Sequence, residues 1–161
     1  MDYLAHGLWS YIIFNKIKKV KYAIFFGLLP DNLSWVVYLI YTLATKGLHF
    51  GAPVVENIPG WVFTLYNISH SLIVASFFII IFSFVLKKMI TYMLAWPLAI
   101  LMDVFSHTRD FLPTPFLWPL SEWRFNGISW ASSGFMIVNY VLIISFLTYI
   151  FLKKKKNYKK D

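Results

Sequence analysis

The sequence predicts an all-α integral-membrane protein, a helical bundle of about five segments whose second segment is broken at Pro30-Asp31. Hydrophobic residues make up 59% of the chain, charged residues make up only 14%, and the apolar residues form long runs. Soluble globular domains carry about 25% charged and about 45–50% apolar residues. The low charge and the apolar runs therefore favour a chain that lies in a bilayer.

The basic residues and the absence of cysteine limit the possible functions further. The formal net charge is +8, but the basic residues form short clusters between apolar runs, so we expect the lipid bilayer as a partner and no nucleic acid. The chain has no cysteine, which excludes disulfides and thiolate metal sites. Residues 1–9 carry no lysine or arginine, so we expect the first apolar run to be structural and not a signal peptide.

The first two apolar runs are irregular. Residues 3–14 are fewer than the roughly 20 needed to cross a bilayer, so they predict a short or re-entrant helix, or one lengthened by its flanking lysines. Residues 22–44 are enough to span but contain Leu29-Pro30-Asp31-Asn32. A proline and a carboxylate inside an apolar run are costly unless they face a polar cavity, so we expect a break there.

The rest of the chain predicts three spans, a loop and an irregular segment. The three apolar runs that predict continuous spanning helices are 61–86, 89–107 and 131–152. Residues 46–60 form a loop rich in glycine and proline. Residues 108–130, called the cap below, carry three prolines among aromatic side chains and cannot form a regular helix. Residues 1–152 are one membrane-embedded helical domain, and residues 153–161 are a basic cytoplasmic tail.

The distribution of basic residues predicts the orientation. If the segments alternate, twelve of the fifteen lysines and arginines fall on one side, in the clusters 16–21, 87–88 and 153–160. The positive-inside rule then places these clusters in the cytoplasm and the cap outside. We therefore expect a multi-pass protein of the cell inner (plasma) membrane with a cytoplasmic C-terminus.

Five ionisable residues on four segments are predicted to share the outer half of the bundle. Asp103 and His107 are four residues apart, which puts both side chains on one helical face. The other three are His6, Asp31 and His70, and the predicted topology brings each of them to a similar depth. Three imidazoles and two carboxylates suit Zn²⁺ first, and also Mn²⁺ or Fe²⁺. A divalent cation would also explain how carboxylates stay ionised among apolar side chains.

Each of these residues also has a structural interpretation. His6 could be an interfacial histidine, Asp31 could be the N-cap of a helix restarting at Leu33, and His107 could complement a helix dipole. His70 and Asp103 lie deep in apolar runs, where ionisable residues usually have a function. His49 is expected to lie in the loop without a role in the site.

The order of several short motifs resembles the bacterial membrane-bound metal-dependent hydrolases, a family of small integral inner-membrane proteins similar to zinc-dependent phospholipase C. The matching motifs are Ala5-His6, Leu28-Leu29-Pro30-Asp31, Ser69-His70-Ser71, Asp103 with His107, Pro115-Phe116-Leu117-Trp118-Pro119 and Arg124-Phe125. The family's histidine four residues before the aspartate is Ala99 here, although His107 one turn later could replace it. Leu65-Tyr66-Asn67 replaces a frequent His-Arg-Gly.

The residues and the resemblance together imply a metal-dependent hydrolase. His6, Asp31, His70, Asp103 and His107 would hold the metal, and water with a lowered pKa would attack an ester or phosphoester. Asp31 or Asp103 would be the catalytic general base. The expected substrate is a small or lipid-like molecule. The alternative is a non-catalytic metal-binding or transport-type membrane protein with a decayed hydrolase site, which Ala99 favours.

Overall fold

The computed structural model describes residues 1–47 and 54–158, which leaves His49, much of the predicted loop and the end of the tail outside the described residues. In the described part, helices and irregular connections make up the fold and no β-strand occurs. The α-helices are α1 (Tyr3–Phe14), α2 (Val20–Asp31), α3 (Val37–Lys46), α4 (Gly60–Ser69), α5 (Leu72–Val85), α6 (Ala95–Ser106) and α7 (Ser133–Tyr158). The predicted all-α class is therefore confirmed.

Two helical stretches are long and apolar enough to cross a membrane, Val20–Lys46 and Ser133–Lys156. The pair α4 and α5 provides a third candidate, bent by 54° at its break. The remaining apolar helices, α1 and Thr91–Ser106, are shorter than a bilayer requires. The fold therefore contains two or three candidate membrane spans, fewer than the five predicted segments.

The predicted break at Pro30-Asp31 is wrong. The helix continues through Asp31 into a π-helical turn at Asn32–Val36 and then into α3. Pro30 has no N–H to donate and crowds the preceding turn, yet that turn remains α-helical and the irregular, wider turn follows it. The hydroxyl of Ser34, in the irregular turn, donates to the Pro30 carbonyl at 2.9 Å and so gives that carbonyl a partner. Asp31 has helical backbone angles and makes no capping bond, so the N-cap interpretation is also wrong.

The predicted continuous helix over 61–86 is interrupted. α4 ends at Ser69, and the backbone of His70 and Ser71 leaves the helical conformation before α5 begins at Leu72. The hydroxyl of Ser71 accepts the Val74 N–H at 3.2 Å, so it caps α5. The Leu72 N–H donates to the Phe116 carbonyl at 2.9 Å, so the cap supplies a partner that the broken helix lacks.

The predicted helix over 89–107 is also shorter than expected. Residues Thr91–Leu94 form a 3₁₀ turn, and α6 begins only at Ala95. Pro97 lies in the first turn of α6, where its missing N–H has no helical partner to lose. The last predicted span, by contrast, is longer than expected, because α7 extends to Tyr158 and includes the first lysines of the predicted tail.

Lysines from the three predicted basic clusters lie together at one end of the bundle. Lys18, Lys19 and Lys88 border one small cavity, and Lys16 borders another together with Lys153 and Lys154. The Lys154 ammonium also donates to the Tyr11 hydroxyl at 3.2 Å. The starts of α1 and α7 and the cap lie at the opposite end. There the Gly127 N–H donates to the His107 carbonyl at 2.8 Å and holds the end of the cap against the end of α6.

The helices α1 and α2 approach closely where Gly27 faces Ser10. A Cβ added at Gly27 would lie 2.9 Å from the Ser10 Cβ, and Ser10 is fully buried. Small residues at such crossings let helices in membranes pack by van der Waals contact. We therefore expect Gly27→Ala to cost about 1–3 kcal/mol through overpacking.

The thermal unfolding midpoint in detergent measures this cost. Gly134→Ala is the matched control, because a Cβ there meets no atom within 4 Å. The control gains helix propensity without a new contact. Equal midpoints for the two variants would contradict the close approach of α1 and α2.

Candidate functional site

Asp103 of α6 is the centre of a buried cluster of ionisable side chains. It is 1% exposed. Its Oδ1 accepts the His6 Nε2–H at 3.0 Å and lies 3.5 Å from Nδ1 of His107, and its Oδ2 lies 3.6 Å from Nε2 of His70. The N-terminal ammonium of Met1 also contacts Oδ1. One carboxylate thus touches three imidazoles that come from α1, the α4–α5 break and the end of α6.

His70 connects Asp103 to the fifth predicted residue, Asp31. Nε2 of His70 lies 3.7 Å from Oδ1 of Asp31 and 3.6 Å from Oδ2 of Asp103. Nδ1 of the same ring lies 3.2 Å from the Tyr66 carbonyl and 2.9 Å from the Ser69 hydroxyl. Because a carbonyl only accepts, Nδ1 carries a hydrogen. In a neutral ring, Nε2 would then direct a lone pair at two carboxylates, so this point favours a cation, either a proton or a metal ion.

The start of α1 is anchored so that His6 reaches Asp103. Oδ1 of Asp2 accepts the Ala5 N–H at 3.0 Å and so caps α1. The Tyr140 hydroxyl of α7 donates to the same oxygen at 2.8 Å. His6 follows one turn later and is buried among other side chains. Its Nδ1 has no hydrogen-bond partner among the described residues.

His107 ends α6 and has a structural role as well. Its Nδ1–H donates to the backbone carbonyl of Asp103 at 3.0 Å, and the same carbonyl also accepts the backbone N–H of His107 at 3.0 Å. Ala99, which replaces the expected histidine, is fully buried one turn before Asp103. Within this segment, the imidazole that approaches Asp103 is that of His107, one turn after Asp103, because Ala99 occupies the position one turn before it.

Sequence reasoning missed two aromatic residues that hold His70. The ring of Tyr66 lies 4.0 Å from the ring of His70, and its hydroxyl donates to the Leu112 carbonyl of the cap at 3.0 Å. Trp96 donates from Nε1 to the Ser69 carbonyl at 2.8 Å. Tyr66 precedes His70 by four residues, so helical spacing could have identified it. No comparable signal marked Trp96, because its partner comes from another helix.

Two arginines fix the cap over the site. Arg124 donates from Nη1 to the Pro113 carbonyl at 2.8 Å, and Arg109 donates to the Arg124 carbonyl from Nε at 3.2 Å and from Nη2 at 3.1 Å. The Arg109 N–H donates to the Asn126 side chain at 2.8 Å. These bonds satisfy carbonyls of a segment that has no helix to pair them. The cap is therefore a fixed wall without regular helix, as the prolines predicted.

A cavity of about 380 Å³ opens beside the cluster. Asp31, His70 and His107 contribute its polar part. The remaining wall is mainly apolar and aromatic, and it consists of Met1, Tyr3, Trp35, Tyr66, Phe111, Leu112 and Trp130. Asp103 and His6 lie behind this surface. A molecule in the cavity would therefore meet the Asp31–His70 pair before it met Asp103.

The donor set suits a divalent cation, although the side chains do not form a finished ligand shell. Within residues 1–47 and 54–158, no group of three or more histidine and carboxylate side chains has the geometry that holds a metal ion. The separate pairs are nevertheless spaced suitably. Two ligands each about 2.1 Å from a tetrahedral metal lie about 3.4 Å apart, and Nε2 of His70 lies 3.6 Å from Asp103 and 3.7 Å from Asp31.

The bond from Tyr66 to the cap gives a test of the site's support. We expect Tyr66→Phe to lower the free energy of unfolding by about 1 kcal/mol, because the Leu112 carbonyl loses its donor. Tyr22→Phe is the control, since no hydrogen bond of its hydroxyl occurs in the described part of the chain. Thermal unfolding in detergent compares the two, and equal stability would show that the bond contributes nothing.

The chain was compared with known families, proteins and structures. No protein family, curated protein or solved structure matches the chain significantly. The resemblance to the membrane-bound metal-dependent hydrolases therefore rests on the motif residues. Four of those motifs supply His6, Asp31, His70, and Asp103 with His107, and these are the side chains that meet in the cluster.

Proposed function

We propose that the chain is a membrane-embedded, metal-dependent hydrolase that cleaves an ester or phosphoester of an amphipathic molecule. The observation that supports this proposal is the meeting of three imidazoles and two carboxylates, from distant parts of the chain, beside an apolar cavity. Such groups are costly in an apolar bundle, and in membrane segments they usually mark functional sites.

The same five side chains would hold the divalent cation: His6, Asp31, His70, Asp103 and His107. Their nitrogen and oxygen donors suit Zn²⁺. The metal ion would lie between Nε2 of His70 and the carboxylates of Asp31 and Asp103, where the arrangement favours a cation. A bound metal ion would supply Lewis-acid polarisation of the ester and lower the pKa of a water molecule.

The two carboxylates have different surroundings, which suggests different roles. Asp103 is enclosed by the three imidazoles and lies behind the cavity wall, so we assign it to organising the site. Asp31 borders the cavity and contacts only His70 among the described ionisable side chains. Asp31 would accept a proton from water as the water oxygen attacks the ester carbon or phosphorus. It would return that proton to the alcohol oxygen when the ester bond breaks.

The cavity wall favours an amphipathic substrate. Trp35, Phe111 and Trp130 present aromatic surface next to the polar cluster. The scissile group would lie at Asp31 and His70, with an apolar part against these rings. With the lysine clusters in the cytoplasm, the cavity would face the outer side of an inner membrane.

A non-catalytic metal-binding or transport-type protein is the second candidate. The observation that favours it is Ala99, which is buried where the similar family has a histidine. Fewer ligands would leave a site that binds metal without the geometry for turnover. Bound metal without hydrolysis of any ester would support this candidate.

Metal content gives the first test. We expect the purified protein to carry stoichiometric divalent metal, because the cluster places two carboxylates around one imidazole. His70→Gln combined with Asp103→Asn removes donors from the centre and should reduce the metal to background. Mass spectrometry of the metal content measures this.

Asp110→Asn combined with Glu122→Gln is the control for loss of two polar side chains outside the cluster, because both carboxylates are exposed. Circular dichroism would verify that each variant remains helical. Metal-free wild-type protein, or unchanged content in the double variant, would remove the metal-dependent mechanism.

Turnover gives the second test. We expect Asp31→Asn to lower kcat by about 100-fold or more on long-chain aryl esters or phosphoesters, because the proton acceptor is lost. Asp110→Asn removes an exposed carboxylate of the cap and should leave turnover unchanged. Short-chain esters should react more slowly than long-chain ones. Equal rates for Asp31→Asn and wild type would exclude Asp31 as the base.

A further inference from the structure

An apolar groove lies at the lysine-rich end of the bundle, far from the Asp103 cluster in the fold. It has a volume of about 550 Å³ and runs between α2, α5 and the Thr91–Leu94 turn. The ring of Tyr92 lies 5.3 Å from the ring of Tyr22 and 5.8 Å from that of Phe26, so aromatic side chains form one wall. Phe25 borders the groove and is 52% exposed. The groove is therefore open to the surroundings of the helices, which in a membrane are lipid.

A smaller basic cavity of about 200 Å³ adjoins this groove. Lys18, Lys19 and Lys88 border it. Ile90 and Tyr92 border both cavities, so the basic surface and the apolar groove are continuous. Lys21 borders the groove itself. The lysine ammonium groups therefore lie directly beside the apolar groove.

The positive charge of this surface is not balanced by carboxylates. No acidic residue occurs in the segments 16–21 and 87–92. Within the described parts of the chain, the ion pairs involve Asp31 and Asp103, and none involves these lysines. Clustered lysines at a membrane surface attract anionic lipid headgroups, and basic pockets between membrane helices bind them.

We propose that the basic cavity and the groove together bind one anionic phospholipid of the surrounding bilayer. The phosphate lies at Lys18, Lys19 and Lys88, and an acyl chain lies along Tyr22, Phe26 and Tyr92. A soluble anion would use the lysines without the groove, and a zwitterionic lipid would use the groove without the net attraction. This site is independent of the proposed hydrolase, since it shares no residue with the Asp103 cluster.

Binding to the purified full chain in detergent tests the site. Native mass spectrometry would compare phosphatidylglycerol, phosphatidylcholine and glycerol 1-phosphate. We expect phosphatidylglycerol to bind at least about tenfold more tightly than the other two, because it alone engages both parts. Equal binding of phosphatidylcholine, or equally tight binding of glycerol 1-phosphate, would overturn the proposal.

Matched lysine variants separate a specific site from general attraction. Lys18→Gln, Lys19→Gln and Lys88→Gln together should weaken phosphatidylglycerol binding at least about tenfold. Lys153→Gln, Lys155→Gln and Lys156→Gln together remove the same charge from α7 and should change it less than about twofold. Equal losses in the two triple variants would show that net charge alone attracts the lipid, which contradicts the proposal.

A second pair of variants tests the groove. Phe25→Ala should weaken phosphatidylglycerol binding several-fold, because it removes part of the wall that contacts the acyl chain. Phe77→Ala is the control, since Phe77 is 59% exposed on α5 and does not border the groove. If both variants bind as wild type does, the acyl chain does not lie in the groove and the proposal fails.

Discussion

The structure depends on the need to partner one buried carboxylate, that of Asp103. An unpaired charge inside an apolar bundle costs several kcal/mol or more, so such a group must meet partners or lose its charge. His6, His70, His107 and the ammonium of Met1 all contact Asp103. These partners come from the start of α1, the break between α4 and α5 and the end of α6. Satisfying Asp103 therefore fixes how these elements meet.

Breaks in the helices follow from the same scarcity of partners. His70 can face Asp31 and Asp103 from a bend in the backbone, and that bend leaves polar groups that lipid cannot satisfy. The cap supplies carbonyl partners for these groups. The Leu72 N–H donates to the Phe116 carbonyl, and the Ser71 hydroxyl donates to the Trp118 carbonyl. Arg124 in turn satisfies the Pro113 carbonyl. The irregular cap and the irregular helix pair thus stabilise each other, and the cavity lies between them and the π-helical turn.

The residue types of the site could be predicted from the sequence, whereas its supports could not. Ionisable side chains in apolar runs and the four-residue spacing of Asp103 and His107 are local signals, and the structure brings all five candidates into one cluster. The turn at Asn32–Val36 and the break at His70 depend on contacts with distant segments. Proline alone predicts a disturbance at Pro30, but whether the helix ends or continues depends on which neighbouring groups donate to the carbonyls left without a helical partner. Trp96 had no signal in the sequence, because its partner lies on another element, whereas the four-residue spacing of Tyr66 and His70 was a signal that could have been used.

The wide separation of the clustered residues along the chain has a consequence for biosynthesis. His6 and Asp103 are 97 residues apart, and Asp31 meets His70 only after another 39 residues have been made. The helix that contains Asp31 is therefore complete in the growing chain before His70 has been added, and a carboxylate in the middle of a membrane helix costs about 3 kcal/mol. The apolar residues around it must outweigh that cost alone. The cluster can assemble only after α6 has been synthesised, because Asp103 lies in that helix.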